Sequence, residues 1–415
     1  IEVLIAARIL QGVAGALLVP SSLATITETF SEGERGAAIG SWTAWSGITT
    51  VIGPVAGGAL VEFVSWRAIF ALNLPFIALA LWLTYKAVPK REGDREGHVD
   101  VFGGLLCALG LGGIVFALIE QPLRGWGDPT VLVPGVAGAL ILVLFVIHEH
   151  RSRDPMLPPS LFRARNFAFG NLSTLFVYAG LAAGMFFLAV FLQETAGFDA
   201  LKAGLVLLPV SLMLFFLSRQ FGKLYDRVGP RALMTVGPII AGVGLSTISF
   251  IGADVAPVPL AIGVVLFGLG LSMTVAPLTS AVLASVPVSR SGVASGVNNA
   301  IARGSGLLAI AIVGSFLTSQ AVTKLDSELG DQHLSVSSVT VLNEVRKNPL
   351  AGPGLDSVPP DERDVVADAS QAAAVSGFHV GVGFAGVLMV IGGVVALVGI
   401  RNPRRRELGD APATS

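Results

Sequence analysis

Residues 51–60 read VIGPVAGGAL, ten positions without a charge or a polar side chain. Four of them, Gly53, Pro54, Gly57 and Gly58, are the residues that a water-exposed helix tolerates least, at roughly 3 kcal/mol for proline and 1 kcal/mol for glycine. An apolar helix rich in such residues makes sense in a bilayer, where small residues let two helices approach closely. There, neighbouring groups re-satisfy the hydrogen bond that a proline removes. Gly53 and Gly57, four apart, share one helix face.

The remainder of the chain has the same character. Of its 415 residues, 53% are hydrophobic and 13% charged, with 50 glycines, whereas a soluble domain carries about 25% charged residues. Apolar runs of the length needed to cross hydrocarbon, some 20 residues, recur throughout. Eleven are expected, at about 2–27, 36–61, 67–88, 101–119, 130–148, 167–192, 201–218, 232–252, 257–285, 292–317 and 377–400. The fold class is therefore all-α, a polytopic membrane protein.

Composition also excludes. A net charge of −1 gives no basic field for nucleic acid. One cysteine, Cys107, and five scattered histidines leave no disulfide framework and no Cys- or His-rich metal site. No nucleotide-binding loop is present. GVGFAG at 381–386 fits the dinucleotide pattern but lies inside an apolar span, with no strand before it, so helix packing is expected there. No cofactor and no metal are expected, and no enzyme activity.

Arginine and lysine set the orientation. They gather in the loops at Arg35, Lys86–Arg95, Arg151–Arg165, Arg219–Arg231, Arg290 and Arg401–Arg406. By the positive-inside rule that side, with the C-terminus, is cytoplasmic. A multi-pass protein of the plasma membrane follows, with the segment 318–376 outside. That segment is rich in Ser, Asp, Asn and Pro, and a mobile, solvated loop with one short helix is expected. Ile1 already lies inside a span, which reads as a fragment with further helices upstream.

Two stretches repeat. Gly12, Gly36, Ala38 and Gly40 correspond to Gly268, Gly292, Ala294 and Gly296, and Pro20 to Pro277 with a one-residue slip. Repeated halves with a site between them are a construction rule of secondary transporters.

Four motifs make the resemblance specific. RILQGVAGA (8–16) resembles the Arg-x-x-Gln-Gly motif of the fourth helix of major facilitator superfamily transporters, and GPVAGG resembles their fifth-helix antiporter motif. WRAIFALNLP (66–75) is similar to the start of the sixth helix in the drug:proton antiporter branches. GKLYDRVGPR (222–231), with Gly222, Asp226, Arg227, Gly229 and Arg231, resembles the cytoplasmic loop motif in its second-half copy. The two spans between the halves resemble the fourteen-helix branch, so the eleven spans would be helices four to fourteen. The resemblance implies three regions: 1–90, the remainder of the N-terminal half; 91–160, a two-helix insertion; and 161–415, a C-terminal six-helix half with the outer loop 318–376 and a tail 401–415. It implies a monomer in the bilayer that exchanges protons for small lipophilic compounds or drugs. An uptake permease or a non-transporting sensor of the same fold is the alternative.

Candidate site residues follow. Arg8 inside a span is costly, about 2.5–3.5 kcal/mol on insertion scales; it is expected to face a cavity with Gln11, the alternative being that it snorkels to the interface. Arg303 is read as a second buried cation, with Asn298 and Asn299 on the same helix as either interhelical glue or cavity lining. Asn171, Thr174 and Tyr178 form a polar stripe at helical spacing, which the resemblance places on a cavity-lining helix. Asp226 and Arg227 are expected in a short loop, with Gly222 and Gly229 marking tight turns. A breakable latch is expected from Asp226, set at a helix N-terminus or against an arginine, the alternative being that the pair only belongs to a positive-inside loop.

Overall fold

The computed structural model describes residues 2–31, 33–46, 60, 64–65, 67–87, 100–152, 155, 157–330, 332 and 334–402. Among them every regular element is helical: α1 Glu2–Thr29, α2 35–46, α3 Ala68–Ala87, α4 Val101–Arg124, α5 Pro129–Arg151, α6 Arg165–Val190, α7 Ala200–Val228, α8 Pro230–Ile248, α9 Pro257–Ala284, α10 Ser291–Leu329, α11 Val336–Lys347 and α12 Arg363–Gly399. Nine of the described helices are long and apolar enough to cross a membrane, and α3 carries a shorter apolar stretch, Phe70–Lys86. A helix satisfies its own backbone groups, which hydrocarbon demands of any spanning segment. Most of the span expected at 36–61 lies outside the described residues, and with it Gly53, Pro54, Gly57 and Gly58.

Helices α6 to α10 and α12 pack into one bundle. Lipid is as apolar as leucine, so close packing rather than the hydrophobic effect must hold them together. Glycines make that contact. A methyl group on Gly244 would lie 2.7 Å from the Gly263 carbonyl, and one on Gly270 2.5 Å from the Gly237 carbonyl, so α8 and α9 meet backbone to backbone. Gly386 of α12 meets Gly242 of α8 the same way, at 2.7 Å, and Gly381 abuts Leu317. The GVGFAG stretch is thus a packing surface. Buried side chains fill the rest, with Phe191 stacked on Phe378 at 3.9 Å between ring centres.

The pair α4–α5 is a hairpin with its own glycine crossing, Gly110 and Gly113 against Gly138. Asp100 and Asp128 cap its two helices, accepting from the amides of Gly103 and Thr130. It meets the bundle where α4 touches α10.

The segment between α10 and α12 departs from expectation. α10 continues to Leu329, α12 begins at Arg363, and α11 packs between them on a core of Leu325, Leu329, Leu342, Val345, Val366 and Ala369. A carboxylate staples it: Glu362 accepts from the Ser335 amide at 3.0 Å, the Ser335 hydroxyl at 2.8 Å and the Ser338 hydroxyl. Arg346 pairs with Asp326 at 2.7 Å. The expected solvated loop is instead a small folded cap, because apolar residues at three- and four-residue spacing sit within its polar text.

Candidate functional site

The first candidate site is the crossing of α2 and α7. Ser218, Gly222 and Asp226 follow one another at four-residue spacing on α7, and Gly36 and Gly40 do the same on α2. A methyl group on Gly40 would lie 2.5 Å from the Ser218 carbonyl, one on Gly36 2.5 Å from the Gly222 carbonyl, and one on Gly222 would strike the Gly36 carbonyl. Only glycine allows this approach. One turn on, Asp226 closes the crossing. Its Oδ1 accepts from the Gly36 amide at 3.1 Å and its Oδ2 from the Ala37 amide at 3.2 Å. These are amides of the first turn of α2, which have no partner within their own helix and carry the positive end of its dipole. The partner of Asp226 is therefore a helix N-terminus. Nearby, Thr43 Oγ1 and Ser218 Oγ are buried without a hydrogen-bond partner.

Two expectations are corrected here. Asp226 and Arg227 are not in a loop; α7 stays helical through Val228. Gly222 makes no turn, and its missing side chain serves the crossing. Gly229 does turn, at φ +81°, and Pro230 starts α8 directly after it.

Arg231, the last residue of the motif, works elsewhere. Its Nε donates to the Leu397 carbonyl at 3.0 Å and its backbone amide to Asn402 Oδ1 at 3.0 Å. Arg165 donates to the carbonyls of Gly399 and Val398 at 2.8 and 2.9 Å, and Asn166 bonds both backbone groups of Arg401. Two arginines therefore hold the orphan carbonyls at the negative end of α12. Sequence reasoning missed this clamp, because its members lie more than 160 residues apart in pairs such as Arg231–Leu397.

The second candidate site is the polar face between α6 and α10. Asn298 Nδ2 donates to Thr174 Oγ1 at 2.8 Å and to Asn171 Oδ1 at 3.2 Å. All three residues are buried. Asn171 and Thr174 return their own donors to Phe167 and Gly170 of α6. These hydrogen bonds join α6 to α10 through buried side chains. Tyr178 is half-buried within the field of Arg303. Arg303 is exposed rather than buried, because it sits on the face of α10 turned away from Asn298, which it shares with half-buried Asn299 one turn earlier. Gln11 is exposed on α1, which packs against α10; Arg8 lies in α1, and its side chain is outside the described residues.

The family model described as "Major Facilitator Superfamily" matches residues 1–311. The chain belongs to this superfamily. It is a multi-pass membrane protein. The chain is 33% identical over 79% of its length to the Multidrug resistance protein Stp of Mycobacterium tuberculosis, of which the match spans 61%. It is 28% identical over 94% of its length to the Tetracenomycin C resistance and export protein of Streptomyces glaucescens, of which it spans 73%. It is 31% identical over 75% of its length to a Methylenomycin A resistance protein of Bacillus subtilis, of which it spans 67%. In a major facilitator chain the internal repeat has a structural reading. Pro20 and Pro277 both lie inside helices, α1 and α9, and Gly36 and Gly292 open the next ones, α2 and α10. Gly36 and Gly40 are filled by α7, whereas a methyl on Gly296 would meet open space.

Proposed function

We propose that this protein is a secondary transporter that exports small lipophilic compounds in exchange for protons by alternating access. The observation that carries the reading is the Asp226 latch. It joins the end of α7, in the C-terminal bundle, to the start of α2, in the N-terminal part of the chain, through two hydrogen bonds over a side-chain-free crossing. Such a contact holds one end of the molecule shut yet breaks without unpacking a core. The names of the relatives support a drug or antibiotic as cargo, and the α4–α5 hairpin between the halves supports the fourteen-helix branch, with its basic side and C-terminus cytoplasmic. In this reading Arg8, Gln11, Asn299, Arg303 and Tyr178 serve the cargo and proton path, while Asn171, Thr174 and Asn298 fix α6 against α10. The protein works as a monomer in the plasma membrane.

The test is accumulation of a lipophilic dye in everted vesicles under an imposed pH gradient. The reading expects uptake into the vesicles that an uncoupler abolishes and that Asp226→Asn slows at equal expression. Uncoupler-insensitive movement, or none with any of a panel of lipophilic probes, contradicts it.

A further inference from the structure

Neither the latch nor the polar face uses the end of the α4–α5 hairpin that carries Asp100 and Arg151. Glu149, in the last turn of α5, is only 3% exposed. Its Oε2 accepts from the Leu157 amide at 2.8 Å, and its buried Oε1 has no hydrogen-bond partner. Opposite it, Asp100 accepts from the Gly103 amide at 2.7 Å and lies 2.9 Å from His148 Nε2. Gly103 separates the two carboxyl groups: a methyl group there would lie 2.9 Å from Glu149 Oε1 and would strike Asp100. Two carboxyl groups thus face each other across a residue that has no side chain to part them.

Phe102 of α4 packs edge-on against His148 at 5.1 Å. From α4, Cys107 lies in the field of Glu149. On α5, His150 is exposed and bonded to the Val146 carbonyl, and Arg151 is exposed. From the linker, the group that reaches Glu149 is the Leu157 backbone; Arg153 and Asp154 lie outside the described residues. No grouping of His, Cys, Asp and Glu among the described residues is suited to a metal ion.

A buried carboxylate oxygen with no donor is costly when ionised, and a second carboxylate beside it adds to the cost. A proton removes both penalties. It neutralises Glu149 and turns Oε1 into a donor facing Asp100, which has His148 as its own partner. We propose that Glu149 is a proton-binding site of the inserted hairpin, paired across Gly103 with Asp100. Its occupancy reaches the C-terminal bundle through Leu157. A neutral acid holds an amide less strongly than a carboxylate does, and the linker from Leu157 runs on to Leu161, buried with Phe167 of α6 and Val282 of α9. Protonation therefore loosens the hairpin's hold on that linker. The site stands apart from the export reading; only its part in a transport cycle rests on it.

Infrared difference spectroscopy of the purified full protein in lipid, across a pH titration, tests the site without any transport measurement. The expected result is a carboxylic-acid C=O band that titrates, is lost in Glu149→Gln and shifts in Asp100→Asn, a variant that keeps the cap of α4. A band unchanged in both variants overturns the proposal. So does the lack of any titrating band that responds to either, which would mean an ionised Glu149 with a water on Oε1.

Discussion

Gly36 and Gly222 touch backbone to backbone across the α2–α7 crossing, each standing where a methyl group on the other would have to go. The distance of the Asp226 carboxylate from the Gly36 and Ala37 amides depends on that contact, so the proposed latch rests on the crossing. The two can be tested separately.

Gly222→Ala puts a methyl group into the Gly36 carbonyl and should move α2 away, so that both hydrogen bonds of Asp226 lengthen. Gly296→Ala, at the repeat mate of Gly40, where an added methyl group meets open space, is the control. Export by the intact protein should fall several-fold in the first variant and stay near wild type in the second. Equal activity of the two would remove the crossing from the mechanism.

Asp226→Asn keeps the shape but loses the charge that favours the α2 N-terminus, worth roughly 0.3–1 kcal/mol and up to about 2 in sheltered sites. A change of one to two kcal/mol is a factor of about 5–30 in a two-state ratio. The closed-to-open ratio should drop by up to that factor while expression and thermal midpoint stay close to wild type. A lowered midpoint with unchanged opening would make Asp226 a folding residue.

Asn298→Ala strips donors from two buried acceptors, Asn171 Oδ1 and Thr174 Oγ1. Interhelical hydrogen bonds in membranes average about 0.6 kcal/mol and reach about 1.7, so thermal unfolding in detergent should show a loss within that range. Arg303→Lys, at an exposed position, should leave stability untouched and lower only export. The opposite pattern, a stable Asn298→Ala and an unstable Arg303→Lys, would reverse the two roles.

The cap between α10 and α12 should be sensitive to acid. Hydrogen bonds from Ser338, then Ser335, hold the Glu362 carboxyl below the ordinary glutamate range. A lowered folded value means the stabilisation is present above the unfolded glutamate range and is lost as pH falls through the folded value. A fluorophore at exposed Val336 should report loosening only below the usual glutamate range, and Ser338→Ala should shift that transition to higher pH. An unchanged transition in the variant would show that Glu362 does not hold the cap.

Hydropathy alone pointed to the nine described helices that are long and apolar enough to cross a membrane, because twenty apolar residues in a row have few other uses, and the motif around Asp226 drew attention to that carboxylate. Its partner was illegible: Gly36 lies 190 positions away in sequence from Asp226. Asn298, Asn171 and Thr174 were visible as polar residues in apolar helices, but whether they face one another or a cavity depends on helix rotation, which small, glycine-rich faces leave open. Arg303 was misjudged for the same reason. The cap was misread because composition outweighed period: Leu325 and Leu329, Leu342 and Val345, and Val366, Ala369 and Ala373 carry a helical rhythm inside Ser- and Asp-rich text.

The central claim, that the Asp226 latch opens during the cycle, is tested most directly by a distance between spin labels at exposed Glu34 and Lys223, with Cys107 replaced by serine. The account predicts a single short distance at rest. A second, longer population should appear with a lipophilic cargo under a pH gradient, and in Asp226→Asn without either. One unchanged short distance in all these conditions would contradict it.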